Sequence, residues 1–504
     1  VLIFCEGFDK YSAANTNNTV VASLLTAGEW TSTTGNNHTI VGGLSSTGYA
    51  YSVVSNNQTL SKTLAVNAPR LIGGMRFSSN LAGLSGISFS DAATNQCGIV
   101  INTNGTFSVR NGIWSTGTVL GTSVASISAG TVHYLEFDIT FSNSGSFALY
   151  LDGGSTPILS GSGDTTATAN SYANAFALVT GAAVMTLTVD DLYILDTTGA
   201  SNNTVLLTSP RIETQFPISD GVVQFAVGAA ILGSSIARVA AGTANLPNSL
   251  YVRALTPSRN CTLTAVALLP FVSNTSVQMR PVVYTDNAGI VQGGTLLSAG
   301  ATMVGVTAGT ILIMPLTTPP ILTAGVQYWL GWHSDIAVTN HVAAQDSLIG
   351  GRYSTATTFA SGAPATFPAP TTGATPTVWG IITNTTPANF YEVSQNPAQG
   401  TQSYLFDATV GHEDLYNFPA LTAVAPTIYA TAVKASIAKS DAGAKTVSLR
   451  TKSNLTDSPG SVSSLAPGTS FAWATSLFPT DPNTGAAWTL VALNAAQGGI
   501  KVET

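Results

Sequence analysis

The stretch Tyr134–Phe141, YLEFDITF, puts Leu135, Phe137, Ile139 and Phe141 on one side of an extended chain. Tyr134, Glu136, Asp138 and Thr140 fall on the other side. A few residues on, Ser146–Asp152, SFALYLD, repeats the alternation with Phe147, Leu149 and Leu151. Asp152, Gly153 and Gly154 supply the turn, and Pro157–Ser160 returns, which predicts a hairpin. Working outward, strands of this kind recur at short spacing between Gly and Asn turns over about the first 200 residues, ending in Met185–Asp196, MTLTVDDLYILD. One-sided burial with frequent turns predicts an antiparallel sandwich or jelly roll.

Composition agrees with an all-β chain and removes several functions. Of 504 residues, 17 are Lys or Arg and 24 Asp or Glu, so 8% are charged, against about 25% in ordinary soluble domains. Hydrophobic residues make up 44%, so the usual compositional route to disorder is closed. A net charge of -7 offers no basic face to nucleic acid. The apolar segment Gly221–Ala241 is broken by Gln224, Ser234, Ser235 and Arg238. Its hydrophobic core falls short of the ~20 residues of a membrane span. We expect no membrane role, and read the segment as a packed loop, strand or short helix at a domain junction. Cys5, Cys97 and Cys261 are odd in number and widely spaced, which reads as buried thiols in a reducing compartment. The opening VLIFCEGF lacks the basic segment of a secretory leader.

HYLEFDIT and FALYLDGG, followed by VDDLYILDTTG, resemble the laminin-G/concanavalin-type jelly roll over about residues 1–200. Asp196–Gly199, Asn202–Thr204 and Pro210–Gly221 (PRIETQFPISDG) resemble a segment recurrent in virion proteins of tailed bacteriophages. There it follows the jelly roll and leads into a second β-domain. Gly411–Phe418, Ala438–Gly443, Asp481–Trp488 and Leu493–Val502 are similar to the C-terminal part of the same group. In that pattern the two parts nearly adjoin, whereas here about 190 residues intervene.

The intervening stretch carries strands of its own in 248–255, 262–270, 278–284, 310–314 and 326–332. It resembles a β-sandwich module of phage tail proteins and carbohydrate-binding-like domains. The expected architecture is all-β: an N-terminal jelly-roll sandwich followed by two further β-sandwich domains, one inserted in the other. The divisions are 1–200 for the jelly roll and 201–224 for a linker with the first strands of the C-terminal domain. Residues 225–388 form the inserted module and 389–504 the remainder. Excising 225–388 is expected to leave a soluble, folded protein. Ser361–Thr377, rich in Pro, Ala and Thr, reads as a long surface loop.

Motifs of catalysis do not emerge. His38, His133, His333, His341 and His412 include no pair at the spacing of a zinc-binding helix. There is no nucleophile elbow, phosphate loop, C-x-x-C or β-helix repeat. The expectation is that the protein is not an enzyme. Were it a glycan hydrolase, Asp335, His341 and Asp346 would form its site. Asp190 and Asp191, adjacent on a strand, should point to opposite faces and so cannot flank one glycosidic bond. In some relatives of the jelly roll, acids near the sheet rim bind Ca²⁺. Asp152, Asp190 and Asp191 are the only candidates here, and turn capping and exposed strand faces are the preferred reading. No cofactor is expected.

Scarce charge suits either a subunit interface or an uncharged glycan. Charge is sparsest in 225–388, with eight charged residues, against 14 in 389–504 and 19 in 1–224. That module also holds Tyr328, Trp329, Trp332, Tyr353 and Trp379. Alternation puts Tyr328, Leu330 and Trp332 on one face and Trp329 on the other. Core packing is the default for such aromatics, and Trp329, Tyr353 and Trp379 are the candidates for a sugar-stacking site. The resemblance implies a virion structural protein on the particle exterior, made in the host cytoplasm. A tail-associated or fibre-like adhesion role is the first reading. Capsid decoration or a head fibre is the alternative, and a secreted carbohydrate-binding adhesin ranks below both. Expected partners are other virion proteins of tail or capsid, further copies in a homo-oligomer such as a trimer, and a host surface glycan.

Overall fold

In a computed structural model, the described residues are 1–11, 21–22, 25–26, 29–35, 37–45, 48–198, 203–229, 231–232, 247–257, 259–270, 272–308, 310–337, 351–354, 358–373, 378–384, 389, 404–422, 427–439, 443–454, 456–464 and 471–504. They are nearly all β and divide into two compact units, Val1–Phe216 with Thr409–Thr504, and Pro217–Ala408.

The first unit contains the jelly roll. Its strands are β1 (Leu2–Glu6), β2 (Ser32–Thr34), β3 (His38–Gly42), β4 (Tyr49–Ser55), β5 (Thr59–Ala68), β6 (Arg70–Ser79), β7 (Ser85–Asp91) and β8 (Thr94–Ile101). β9 (Thr106–Asn111), β10 (Thr118–Ser126), β11 (Val132–Thr140), β12 (Gly145–Leu151), β13 (Leu159–Gly163), β14 (Ala173–Thr180) and β15 (Met185–Asp196) follow. One sheet runs β13-β12-β11-β6-β15-β4-β3, with β1 also on β15; the facing sheet runs β10-β9-β8-β7-β14-β5-β2. The hairpin predicted from YLEFDITF is present, with Ile139 opposite Phe147 and Leu135 opposite Leu151. Leu135, Phe137, Ile139 and Leu149 join Phe77, Phe89, Phe107 and Ile99 in one core between the sheets. Burying such apolar faces is the main stabilising term of a sandwich. Cys97 lies in that core, as its apolar strand implied.

Strand β15 departs from simple alternation. Its first half pairs with β4 and its second half with β1, and its register against β6 shifts between Asp190 and Tyr193. Asp191 sits at the break with φ +49°, in the left-handed region. The two aspartates are therefore not plain neighbours on opposite faces. Asp191 takes the bulge, accepting the Ile212 amide at 2.8 Å and pairing with Arg76 at 2.9 Å.

Residues 205–214 do not hang free as a linker. Glu136 accepts the amides of Leu206 (2.9 Å) and Leu207 (3.1 Å), and Asp9 accepts that of Thr214 (3.3 Å). Val205 and Leu206 pack on Ile72, Tyr134 and Tyr193. A Cβ at Gly7 would lie 2.7 Å from the Ile212 carbonyl oxygen, so the close approach of this segment needs glycine there. In the same unit, Glu413–Asn417, Gln497–Val502, Thr446–Ser453 and Thr456–Ser464 pair in that order, and Thr431–Ile437 pairs with Ala472–Phe478.

The second unit is a sandwich of its own. One sheet includes Cys261–Leu268, Val378–Asn384 and Leu312–Pro315; the other includes Asn274–Thr285, Tyr328–Ser334 and Ser249–Leu255. Leu263, Val266, Met279, Leu330 and Trp332 share the core between them. Near its ends, Ala226–Ala229 pairs antiparallel with Tyr404–Phe406, Ala229 lying opposite Tyr404. That register lets an Asn-Gly turn replace everything between. Deleting 230–403 and joining Ala229 to Tyr404 through Asn-Gly should leave the first unit folded, with its calorimetric midpoint within a few degrees of its value in the intact chain. Loss of near-ultraviolet dichroism in the deletion would overturn this.

Candidate functional site

The outward face of the β2-containing sheet carries a groove of about 380 Å³, lined by residues of the jelly roll alone. Strand alternation builds it. On β5, Leu60 and Leu64 point into the core, so Thr59, Ser61 and Thr63 point out. On β7, Ile87 and Phe89 are core and Ser88 is on the groove side with Ser90. Between them, β14 contributes Ala175, Ala177 and Val179.

Register converts these alternations into rows. Ser32 faces Ser61, Ser61 faces Ala177, Ala177 faces Ser88, and Ser88 faces Gly98. A second row runs Thr63, Ala175, Ser90, Asn95. Small alanines thus floor the middle, and hydroxyl and amide groups stand on either side. Several of these groups already bond one another: the Ser32 and Ser61 hydroxyls lie 2.6 Å apart, and the Thr63 amide donates to the Thr31 hydroxyl at 2.8 Å.

Trp114 closes one end of the first row. It stands half-buried in the turn between β9 and β10. A Cβ on Gly98 would lie 2.4 Å from the Cβ of Trp114, so only glycine lets the tryptophan lie down on the sheet. Arg110 steadies the turn by donating to the Ser115 carbonyl at 2.7 Å. The sequence held a signal for this site in TLSKT (59–63) and GIW (112–114), namely hydroxyls at every second position and a tryptophan in a polar turn. Joining them required the strand order.

The residues expected to stack on sugars lie elsewhere, and two of them are corrected. Trp329 is 2% exposed, donates its Nε1–H to Asp286 at 2.8 Å, and packs with Tyr284 and Phe367. Trp379 is 0% exposed and packs with Ala267. Both faces of the Tyr328–Ser334 strand are covered, one by the opposite sheet and one by residues 358–367, so neither Trp329 nor Trp332 meets solvent. Tyr353 pairs with Tyr251 in its strand, and its side chain lies outside the described residues. His341 and Asp346 also lie outside the described residues. Asp335 accepts the amides of Gln278 (2.7 Å) and Ile336 (2.8 Å) and so serves the strand end.

The three calcium candidates do not form a cation cage. Asp152 accepts the Tyr134 amide and pairs with His133, each at 2.8 Å. Asp190 accepts the amides of Leu44 (2.9 Å) and Asp191 (2.8 Å). Burial and the neighbouring Asp191 charge push its carboxyl up to about 7. Among the described residues, no three His, Cys, Asp or Glu side chains come together as metal ligands.

No family model matches the chain. No curated protein matches it. Several solved structures resemble it over about a third of its length. The endo-β-1,4-glucuronan lyase of the fungus Trichoderma reesei is 11% identical over 36% of this chain and 94% of that one, with TM-score 0.26. A carbohydrate esterase from the Shiga toxin-encoding bacteriophage phi24B is 16% identical over 36% and 95%, with TM-score 0.25. The carbohydrate recognition domain of Emp46p, in its metal-free form, is 8% identical over 29% and 82%, with TM-score 0.22. The expectation that this chain is not an enzyme is corrected here. It rested on the absence of catalytic motifs, and polysaccharide lyases and a carbohydrate esterase stand among the structures that resemble it.

Proposed function

We propose that this chain is a structural protein of a tailed-bacteriophage particle, displayed on the exterior as a tail-associated or fibre-like component, and that it engages a host surface glycan. The groove on the β2-containing sheet carries the glycan part of the reading. Sugar hydroxyls both donate and accept hydrogen bonds, as do the Ser and Thr hydroxyls that line it. Trp114 adds a flat apolar face of the kind on which a pyranose ring stacks. The virion part rests on the PRIETQFPISDG segment and on the four C-terminal segments similar to phage virion proteins. Sparse charge on a chain of this size also suits a subunit set among others.

Trp114→Ala should weaken binding of the full chain to host surface polysaccharide about tenfold, the equivalent of roughly 1.4 kcal/mol of lost aromatic contact. Trp114→Phe should recover most of it. Isothermal titration with both variants, alongside their melting curves, checks this. Undiminished binding by a folded Trp114→Ala protein would remove the groove from the reading. Chromatography of the polysaccharide after the same incubation reads whether bound chains are also cut. Antibody labelling of intact particles would tell a tail position from a capsid one.

A further inference from the structure

We infer that the groove selects uncharged glycan segments and rejects polyanionic ones such as polyuronates; this rests on the glycan reading of the same groove. A carboxylate or sulfate ester drawn from water into a cleft needs a compensating cation or a set of strong donors. Among the described residues, the side chains lining the groove are those of Ser, Thr, Asn, Ala, Val, Phe and Trp, and none of these is ionisable. Hydroxyls already committed to one another, as between Ser32 and Ser61, offer balanced donor and acceptor capacity rather than an excess of donors.

The placement of the nearby charges sharpens this. β5 carries one cation, Lys62, flanked by the groove residues Ser61 and Thr63. Alternation turns it through to the opposite side, where it donates to the Glu29 carbonyl and lies 5.3 Å from the Phe4 ring centroid. A shift of one residue would have put that ammonium in the groove. At the β7 end, the residue after Ser90 is Asp91, an acid held by Thr168 (3.0 Å) and Asn170 (2.8 Å). Arg110 stands on the groove face, opposite Gly98 in register and beside Trp114, but it is not among the lining residues and its guanidinium donates to the Ser115 carbonyl. The formal charge of the whole chain, -7, also repels a polyanion.

The test presents the full chain, Trp114→Ala and Thr63→Lys to an array of neutral and acidic glycans that includes dextran, mannan, alginate and polygalacturonate fragments. The expected result is binding confined to neutral members, at least tenfold above acidic ones of equal length, and lost in Trp114→Ala. Thr63→Lys, which sets an ammonium in the groove, should gain alginate binding that fades between 50 and about 300 mM salt. Acidic glycans binding the wild-type chain as well as neutral ones, and still losing affinity in Trp114→Ala, would overturn the selectivity while keeping the site. Binding to nothing on the array, or binding indifferent to Trp114, would overturn the glycan reading itself.

Discussion

Glu29→Gln lowers the unfolding free energy of the jelly-roll unit by about 3–5 kcal/mol, the cost of breaking a buried ion network by removing one partner. Glu29 is bound by Lys10 Nζ at 2.6 Å, by Lys434 Nζ and by the Thr475 hydroxyl. Lys10 also meets Glu6 at 2.7 Å, and Lys434 donates to the Cys5 carbonyl at 2.9 Å. Burial opposes the charge on Glu29, yet Lys434 and Lys10 together hold its carboxyl well below the usual carboxylate range. Residues from the jelly roll and from Thr431–Ile437 and Ala472–Phe478 therefore share one set of charges inside the first unit. Removing Glu29 strands two ammonium groups beside a single Glu6. The effect should be non-additive: Lys434→Met is costly in the native background and close to neutral in Glu29→Gln, where it removes an unpaired charge. Denaturant titrations of the two single variants and the double variant measure this. Simple additivity would show that Glu29 and Lys434 do not act through each other.

Acid should open the second unit, and His333→Leu should prevent it. His333 is 0% exposed, and among the described residues neither ring nitrogen has a hydrogen-bond partner. It faces Arg280 in register, and its ring lies 5.2 Å from that of Phe359. Burial, reinforced by the Arg280 charge, pushes its pKa down to about 4. The unfolded chain takes that proton near 6.5. Stability is therefore whole above about pH 6.5, falls as pH drops from there, and has lost about 3 kcal/mol once pH is below about 4. The covering segment should respond first. Arg280 donates to the Phe359 carbonyl and stacks on the Phe359 ring, Tyr284 donates to the Pro364 carbonyl, and Leu296 donates to Ala365. Hydrogen exchange in 328–334 and 358–367, corrected for intrinsic rates, should rise steeply from pH 7 to pH 4.5 in the native chain and stay flat in His333→Leu. The same acid response in both proteins would assign it to other groups.

That covering segment shows where reading by alternation stops. Ser361–Thr377 (SGAPATFPAPTTGATPT) reads as a surface loop from its Pro, Ala and Thr content. Residues 361–367 instead lie along a sheet, with Phe367 buried and a bridge between Thr295 and Thr366. A strand reports a buried face through its period, but composition cannot tell whether an irregular segment will cover the other face. For that reason alternation alone leaves Trp329 open to solvent, whereas in the structure it is buried. Trp114 was missed for the converse one: a tryptophan in a turn has no periodic partner, and the glycine that accommodates it, Gly98, is on another strand.

The acids tell the same story at β15. The pair Asp190 and Asp191 was visible as a motif, but the bulge that separates their roles depends on β4 and β1 sharing one edge of the strand.

By itself the sequence determined that the chain is all-β, that its hairpins turn at sites such as Asp152–Gly154, and which residues of a regular strand share a face, because side-chain direction on a strand has a period of two. It also determined that few charges exist to be placed. Tertiary structure decided what sits beside what. Strand order put Ser32, Ser61, Ala177, Ser88 and Gly98 in one row and laid Trp114 at its end. Pairing between strands far apart in the chain depends on the summed packing of whole sheets, which no local window contains.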